Sequence, residues 1–155
     1  TFKGAGSGPC VECGAGTFGP ETGQSSCLLA NSGFFVNDTG ASEQTACPAG
    51  SFSGSGASEC DECERGTYQS LVGQASCALA DGGSFVDLAG ASEQTACPAG
   101  SFSGSGASAC EACATGTFQS GSGASECVDC EAVRRVRRGH VRTRDRAVDR
   151  AAPSP

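Results

Sequence analysis

Large apolar side chains punctuate this chain singly, as rings set in polar and glycine-rich sequence. Phe2, Phe18, Phe35, Phe52, Tyr68, Phe85, Phe102 and Phe118 stand sixteen or seventeen residues apart, and Phe34 is the one aromatic outside the beat. A glycine precedes most of these rings by two residues, and a second glycine follows before the next cysteine. The pattern predicts a series of small loops: the first glycine permits a tight turn, the ring covers a neighbouring disulfide, and the second glycine turns the chain back. No apolar run approaches the length needed to span a membrane.

The cysteines follow the same beat at a longer period. Cys10, Cys13, Cys27 and Cys47 are followed by Cys60, Cys63, Cys77 and Cys97, then by Cys110, Cys113 and Cys127, each fifty residues on, with Cys130 closing the series. A fixed period marks a repeat array, and each period of fifty holds three ringed units. Most units read C-x2-G-[ST]-[FY]-x3/4-G-x3-C, as in "CERGTYQSLVGQASC" at 63–77 and "CATGTFQSGSGASEC" at 113–127. The stretches Cys27 to Cys47 and Cys77 to Cys97 read as the same loop with a longer lead. Residues 40–58 and 90–108 are identical, which indicates duplication or homogenised repeats.

Composition explains why cysteine matters here. The chain has 155 residues with 24 Gly, 12 Cys, no Met and no Trp, too few large apolar side chains for a sizeable core. All twelve cysteines fall within residues 10–130, a density typical of disulfide scaffolds. A closed loop of about 15 residues contributes roughly 3 kcal/mol on the chain-entropy model, so staples replace burial. Such bonds persist outside the reducing cytosol, and the expected compartment is extracellular, either secreted or on a cell-surface ectodomain. Asn37 in "NDT" is an N-glycosylation acceptor pattern that fits this compartment; its counterpart at Asp87 has lost it.

The "CPAGSF" phrases at Cys47 and Cys97, each leading to a C-x2-C step, resemble the ephrin-receptor-like cysteine-rich repeats. They are more loosely similar to the first half of a tumour-necrosis-factor-receptor-type repeat. The resemblance covers residues 1–131. It implies short irregular β-hairpin-like ladders stacked end to end in ectodomains, and no catalysis. The expected fold class is therefore small and disulfide-rich: an elongated tandem array of short irregular β-hairpin loops with little regular secondary structure.

Two cysteine pairings remain open on sequence. In the first, each ringed loop closes on itself: Cys13 with Cys27, Cys47 with Cys60, Cys63 with Cys77, Cys97 with Cys110 and Cys113 with Cys127. Cys10 and Cys130 are then unpaired, and the alignment of residues 1–10 with 51–60 places the start of the sequence in mid-repeat. In the second, interleaved scheme, Cys10 pairs with Cys27, Cys13 with Cys47, Cys60 with Cys77, Cys63 with Cys97, Cys110 with Cys127 and Cys113 with Cys130.

Residues 132–155 belong to another composition class. Eight of the ten basic residues lie after Cys130, where the repeat would place a glycine near position 133. This basic tail reads as disordered and solvated, or as an out-of-frame run; "RVRR" at Arg135 to Arg138 also resembles a dibasic processing site. An anchor for anionic glycan, phospholipid or nucleic acid is the functional counterpart of that reading.

The same residues bear on other chemistries. Cys110, Cys113, Cys127 and Cys130 form C-x2-C-x13-C-x2-C, close to a four-cysteine zinc pattern, and an intracellular zinc-dependent nucleic-acid binder is one alternative. That pattern is absent from the earlier periods. His140 is the single histidine and lies in the tail, so a Cys-His or Ser-His-Asp nucleophilic site within the repeats is excluded. Glu21, Asp38, Glu43, Asp61, Asp81, Asp87 and Glu93 lack calcium-loop spacing and read as solubilising acidity. No enzyme, cofactor, metal site or small-molecule substrate is expected. The reading is a non-enzymatic extracellular spacer or adhesion module of a larger surface or secreted protein, with a ligand-binding receptor ectodomain as the other alternative. Its candidate partners are another protein or a glycan rather than nucleic acid, and membrane attachment would come through other parts of the protein.

Overall fold

The computed structural model describes residues 12–21 and 26–131. Cys10, the basic tail and His140 lie outside the described residues. Within them the chain forms seven antiparallel hairpins with two residues in every strand. β1 (Thr17–Phe18) pairs with β2 (Leu28–Leu29), β3 (Phe34–Phe35) with β4 (Thr45–Ala46), β5 (Ser51–Phe52) with β6 (Asp61–Glu62), and β7 (Thr67–Tyr68) with β8 (Ala78–Leu79). β9 (Ser84–Phe85) pairs with β10 (Thr95–Ala96), β11 (Ser101–Phe102) with β12 (Glu111–Ala112), and β13 (Thr117–Phe118) with β14 (Val128–Asp129). This is a small disulfide-rich array of tandem hairpins. The ring is the second residue of each first strand, and each second strand runs directly into the next unit.

The seven units open at Cys13, Ala30, Cys47, Cys63, Ala80, Cys97 and Cys113. The longer lead expected between Cys27 and Cys47, and between Cys77 and Cys97, is not what the structure shows. Each of these stretches is the tail of one hairpin followed by a complete unit of ordinary length, opened by alanine. Ala30 and Ala80 stand where the other units have a cysteine, so the sequence carried no cysteine to mark the start.

Local turn chemistry explains the C-x2-G-[ST]-[FY] spelling. In unit 3 the Ser51 amide donates to the Pro48 carbonyl at 3.1 Å, and the Ser51 hydroxyl donates to the same oxygen at 2.8 Å. Thr17, Thr67, Ser101 and Thr117 repeat this double bond with Gly14, Glu64, Pro98 and Ala114. The hydroxyl residue therefore fastens the turn that presents the ring. Phe34 occupies this place in unit 2, which is why it lies off the aromatic beat.

Main-chain bonds join the units in one repeated pattern. Between units 2 and 3, Gly33 N–H donates to Ser53 O at 2.8 Å, Val36 N–H to Ala57 O at 3.1 Å, and Gly56 N–H to Ala30 O at 2.7 Å. The corresponding three bonds recur at all six junctions among the described residues.

Contacts also reach the second unit on. Gly50 holds φ +85°, and a side-chain carbon there would overlap the carbonyl oxygen of Gly90, two units further along. The same relation links Gly16 to Gly56, Gly33 to Gly73, Gly66 to Gly106 and Gly83 to Gly123. Only glycine combines a left-handed backbone with so close an approach. Every such node thus joins three successive units, since the opening residue of the middle unit bonds to both glycines. In one example, Cys63 N–H donates to Gly50 O at 2.9 Å, and Cys63 O accepts from Gly90 N–H at 2.8 Å.

The core is correspondingly a thin line rather than a centre. Cys13, Ala30, Cys47, Cys63, Ala80 and Cys97 are buried, with Val36, Val86, Ser53 and Ser103 beside them. From Ala30 to Cys97 each opening residue is bonded to the unit before it and the unit after it, whereas the closing cysteines are half-buried. At the last described unit Cys113 is only half-buried and Gly116 is exposed.

Candidate functional site

With so thin a core, the fastenings of the loops are the chemistry of this molecule. The structure joins Cys13 to Cys27, Cys47 to Cys60, Cys63 to Cys77, Cys97 to Cys110 and Cys113 to Cys127. Cα separations are 5.6–5.8 Å, within the span a disulfide bridges. Each cystine closes its own ringed loop. Cys130 is exposed and carries no disulfide. The zinc-like pattern is not gathered into one place: Cys110 is bonded back to Cys97, and Cys113 and Cys127 are bonded to each other.

Units 2 and 5 are closed without covalent bonds. At the position of the closing cysteine they have Gln44 and Gln94. The Gln44 Oε1 accepts from Asn31 N–H at 2.7 Å, and Gln94 Oε1 from Asp81 N–H at 2.6 Å. Gln94 Nε2 also donates to Asp81 Oδ2 at 2.6 Å. The following unit adds a clamp from its serines. Ser53 Oγ donates to Phe34 O at 2.9 Å and Ser55 Oγ to Ala30 O at 3.1 Å, and Ser103 and Ser105 do the same to Ser84 and Ala80 in unit 5. Sequence reading missed this system. Its signal was the recurrence of Ala-x2-Gly and Gln at the cysteine spacing, legible once the register of sixteen and seventeen is imposed.

Asn37 is exposed, one residue past buried Val36 on the loop of unit 2. Asp87 holds the same place in unit 5.

A surface cavity of about 450 Å³ lies between units 3 and 4, lined by Phe52, Asp61, Glu62, Glu64, Thr67, Ser76 and Cys77. Phe52 thus shares this hollow with the cystine of the next unit. Fifty residues on, Glu62 and Glu64 become Ala112 and Ala114. The cavity falls where the two periods cease to be identical.

The described residues carry fifteen carboxylates and one cation, Arg65. Among them Glu21, Asp38, Glu43, Asp61, Asp81, Asp87 and Glu93 are spread over separate loops, and no group of three or more histidine, cysteine or carboxylate residues is placed to hold a metal ion among the described residues. No helix among the described residues is long and apolar enough to cross a membrane.

A family model described as "Tyrosine-protein kinase ephrin type A/B receptor-like" matches the chain three times in tandem, at residues 1–47, 50–97 and 100–142. The chain belongs to this ephrin-receptor-like family. The matches begin about one period apart, and the third runs on past Glu131. No curated protein matches the chain significantly. Ephrin-receptor-like repeats are non-catalytic extracellular modules, and together with the five disulfides they point to an extracellular module here.

Proposed function

We propose that residues 1–131 are a non-enzymatic spacer or adhesion segment within a larger surface or secreted protein, and that residues 132–155 are a separate basic tail. The observation that carries this reading is the sameness of the junctions. Six interfaces use the same three main-chain bonds, so unit can follow unit and add length without a new interface. The identity of residues 40–58 and 90–108 agrees with selection for a part rather than for a distinctive surface. Protein partners, or a glycan, fit such a module better than a small-molecule substrate or nucleic acid. Asn37 is the site we assign to N-linked glycan, since it is an exposed acceptor in an extracellular setting.

One observation favours a ligand-binding ectodomain instead. The cavity at Phe52, Asp61, Glu62 and Glu64 differs between periods that are otherwise alike. A partner that engaged it would distinguish residues 50–77 from 100–127.

Intact mass of protein from an oxidising secretory host, taken before and after reduction and alkylation, tests the proposal. Ten thiols that appear only on reduction, with Cys10 and Cys130 already alkylatable, are expected, together with a mass loss at Asn37 on glycan removal. Free thiols holding zinc before reduction would overturn it.

A further inference from the structure

We propose that units 2 and 5 are built-in extensible elements, which lengthen under tension while the cystine-closed units hold. The inference rests on the spacer reading and adds a mechanical property to it.

The argument follows the load through the oxidised chain. A pull along the backbone crosses each cystine through sulfur and leaves the enclosed loop unloaded, so the twelve or thirteen residues inside cannot be drawn out. Between cystines the backbone itself carries the force. From Cys60 to Cys63 and from Cys110 to Cys113 that stretch is three residues. From Cys27 to Cys47 and from Cys77 to Cys97 it is twenty residues, and it contains the whole of unit 2 or unit 5.

Those two units are held without a covalent bond, by hydrogen bonds and by the burial of Ala30 and Val36 in one and Ala80 and Val86 in the other. Unit 2 depends on Gln44, on the clamp from Ser53 and Ser55, and on its junction bonds to units 1 and 3. Once these part, twenty residues can straighten to at most about 70 Å. Unit 5 is its equal in length and is fastened in the same way with one further bond, Gln94 to Asp81, so the array contains two reserves of equal length, each flanked by units that cannot yield.

The test is force-extension of the full chain tethered at its two ends. Oxidised protein is expected to lengthen in two equal steps, each bounded by about 70 Å. Installing a cystine with Ala30→Cys and Gln44→Cys leaves six loadable residues of that twenty and should remove one step; adding Ala80→Cys and Gln94→Cys should remove both. Reductant should restore them in the variants and release the five native loops as well. Mass mapping of the added cystines shows that the variants have formed as intended. Steps that persist in mapped variants, or an oxidised native chain that breaks its tether without them, would overturn the inference and leave the spacer reading standing. A native chain whose mass shows free thiols, and which lengthens over every loop, would overturn both.

Discussion

Units 2 and 3 lie side by side with the same turn, the same ring position and the same junction bonds, yet one is closed by a cystine and the other by a glutamine. Cys47 and Cys60 lower the entropy of the unfolded chain, and they do so wherever the loop lies. Ala30 and Gln44 do nothing to the unfolded chain; they act only when the turn is already formed and Asn31 N–H points at the amide oxygen. The difference teaches that loop shape in this array comes from glycines and main-chain bonds, while cystine supplies persistence. Unit 2 borrows persistence from its neighbour through Ser53 and Ser55.

The comparison can be broken most forcefully at the cystine. Cys47→Ala with Cys60→Ala should cost roughly 3 kcal/mol, read as a fall in urea midpoint of the oxidised protein. Cys47→Ala with Pro48→Asn and Cys60→Gln gives unit 3 the closure of unit 2, the asparagine supplying the N–H that proline lacks, and should recover part of that loss, about 1 kcal/mol, if the glutamine closure is transferable. Equal losses for the two variants would show that Gln44 contributes nothing.

Glycine sharpens the point that shape is shared. Gly50 and Gly100 hold the same place in identical phrases, at φ +85° and +82°. Gly50 is buried under the Gly90 carbonyl, whereas Gly100 has nothing near the position of a side chain among the described residues. Alanine at either position meets backbone strain of about 1–2 kcal/mol. Gly50→Ala must also displace main chain two units away, so its thermal midpoint should fall well below that of Gly100→Ala. Matching midpoints would remove the three-unit node from the account.

The smallest effects lie in the clamp. Ser53→Ala leaves the Phe34 carbonyl short of a donor and should cost about 1 kcal/mol. Gln44→Ala, at an exposed bond, should cost about 0.5 kcal/mol, and Gln94→Ala slightly more because Asp81 is also lost. Hydrogen exchange at the Asn31 and Asp81 amides reads these changes directly.

Much of this organisation is legible in the chain because it is written in residue types with few other uses. The rings mark one strand per unit, and the glycine two residues before each ring marks the turn. The family resemblance rested on those same residues. Units 2 and 5 were misread as long leads because alanine and glutamine are unremarkable in isolation, and only register gives them meaning. The node between Gly50 and Gly90 was invisible for a different reason. It depends on how successive hairpins stack, and no local pattern states which glycine will meet a carbonyl forty residues away. The hydroxyl of Ser51 and its counterparts lay within reach of turn chemistry, since a serine or threonine three residues after a turn's first carbonyl is a standard fastening.

In the structure every cystine joins a cysteine to the next one along the chain, at a separation of thirteen or fourteen residues. For a polypeptide that enters an oxidising lumen N-terminus first, this ordering matters in time. Each cysteine meets its proper partner before any later rival has emerged, so Cys47 can be sealed with Cys60 while Cys63 is still inside the ribosome or translocon. Sealing the loops then needs no reshuffling of bonds, only synthesis in sequence.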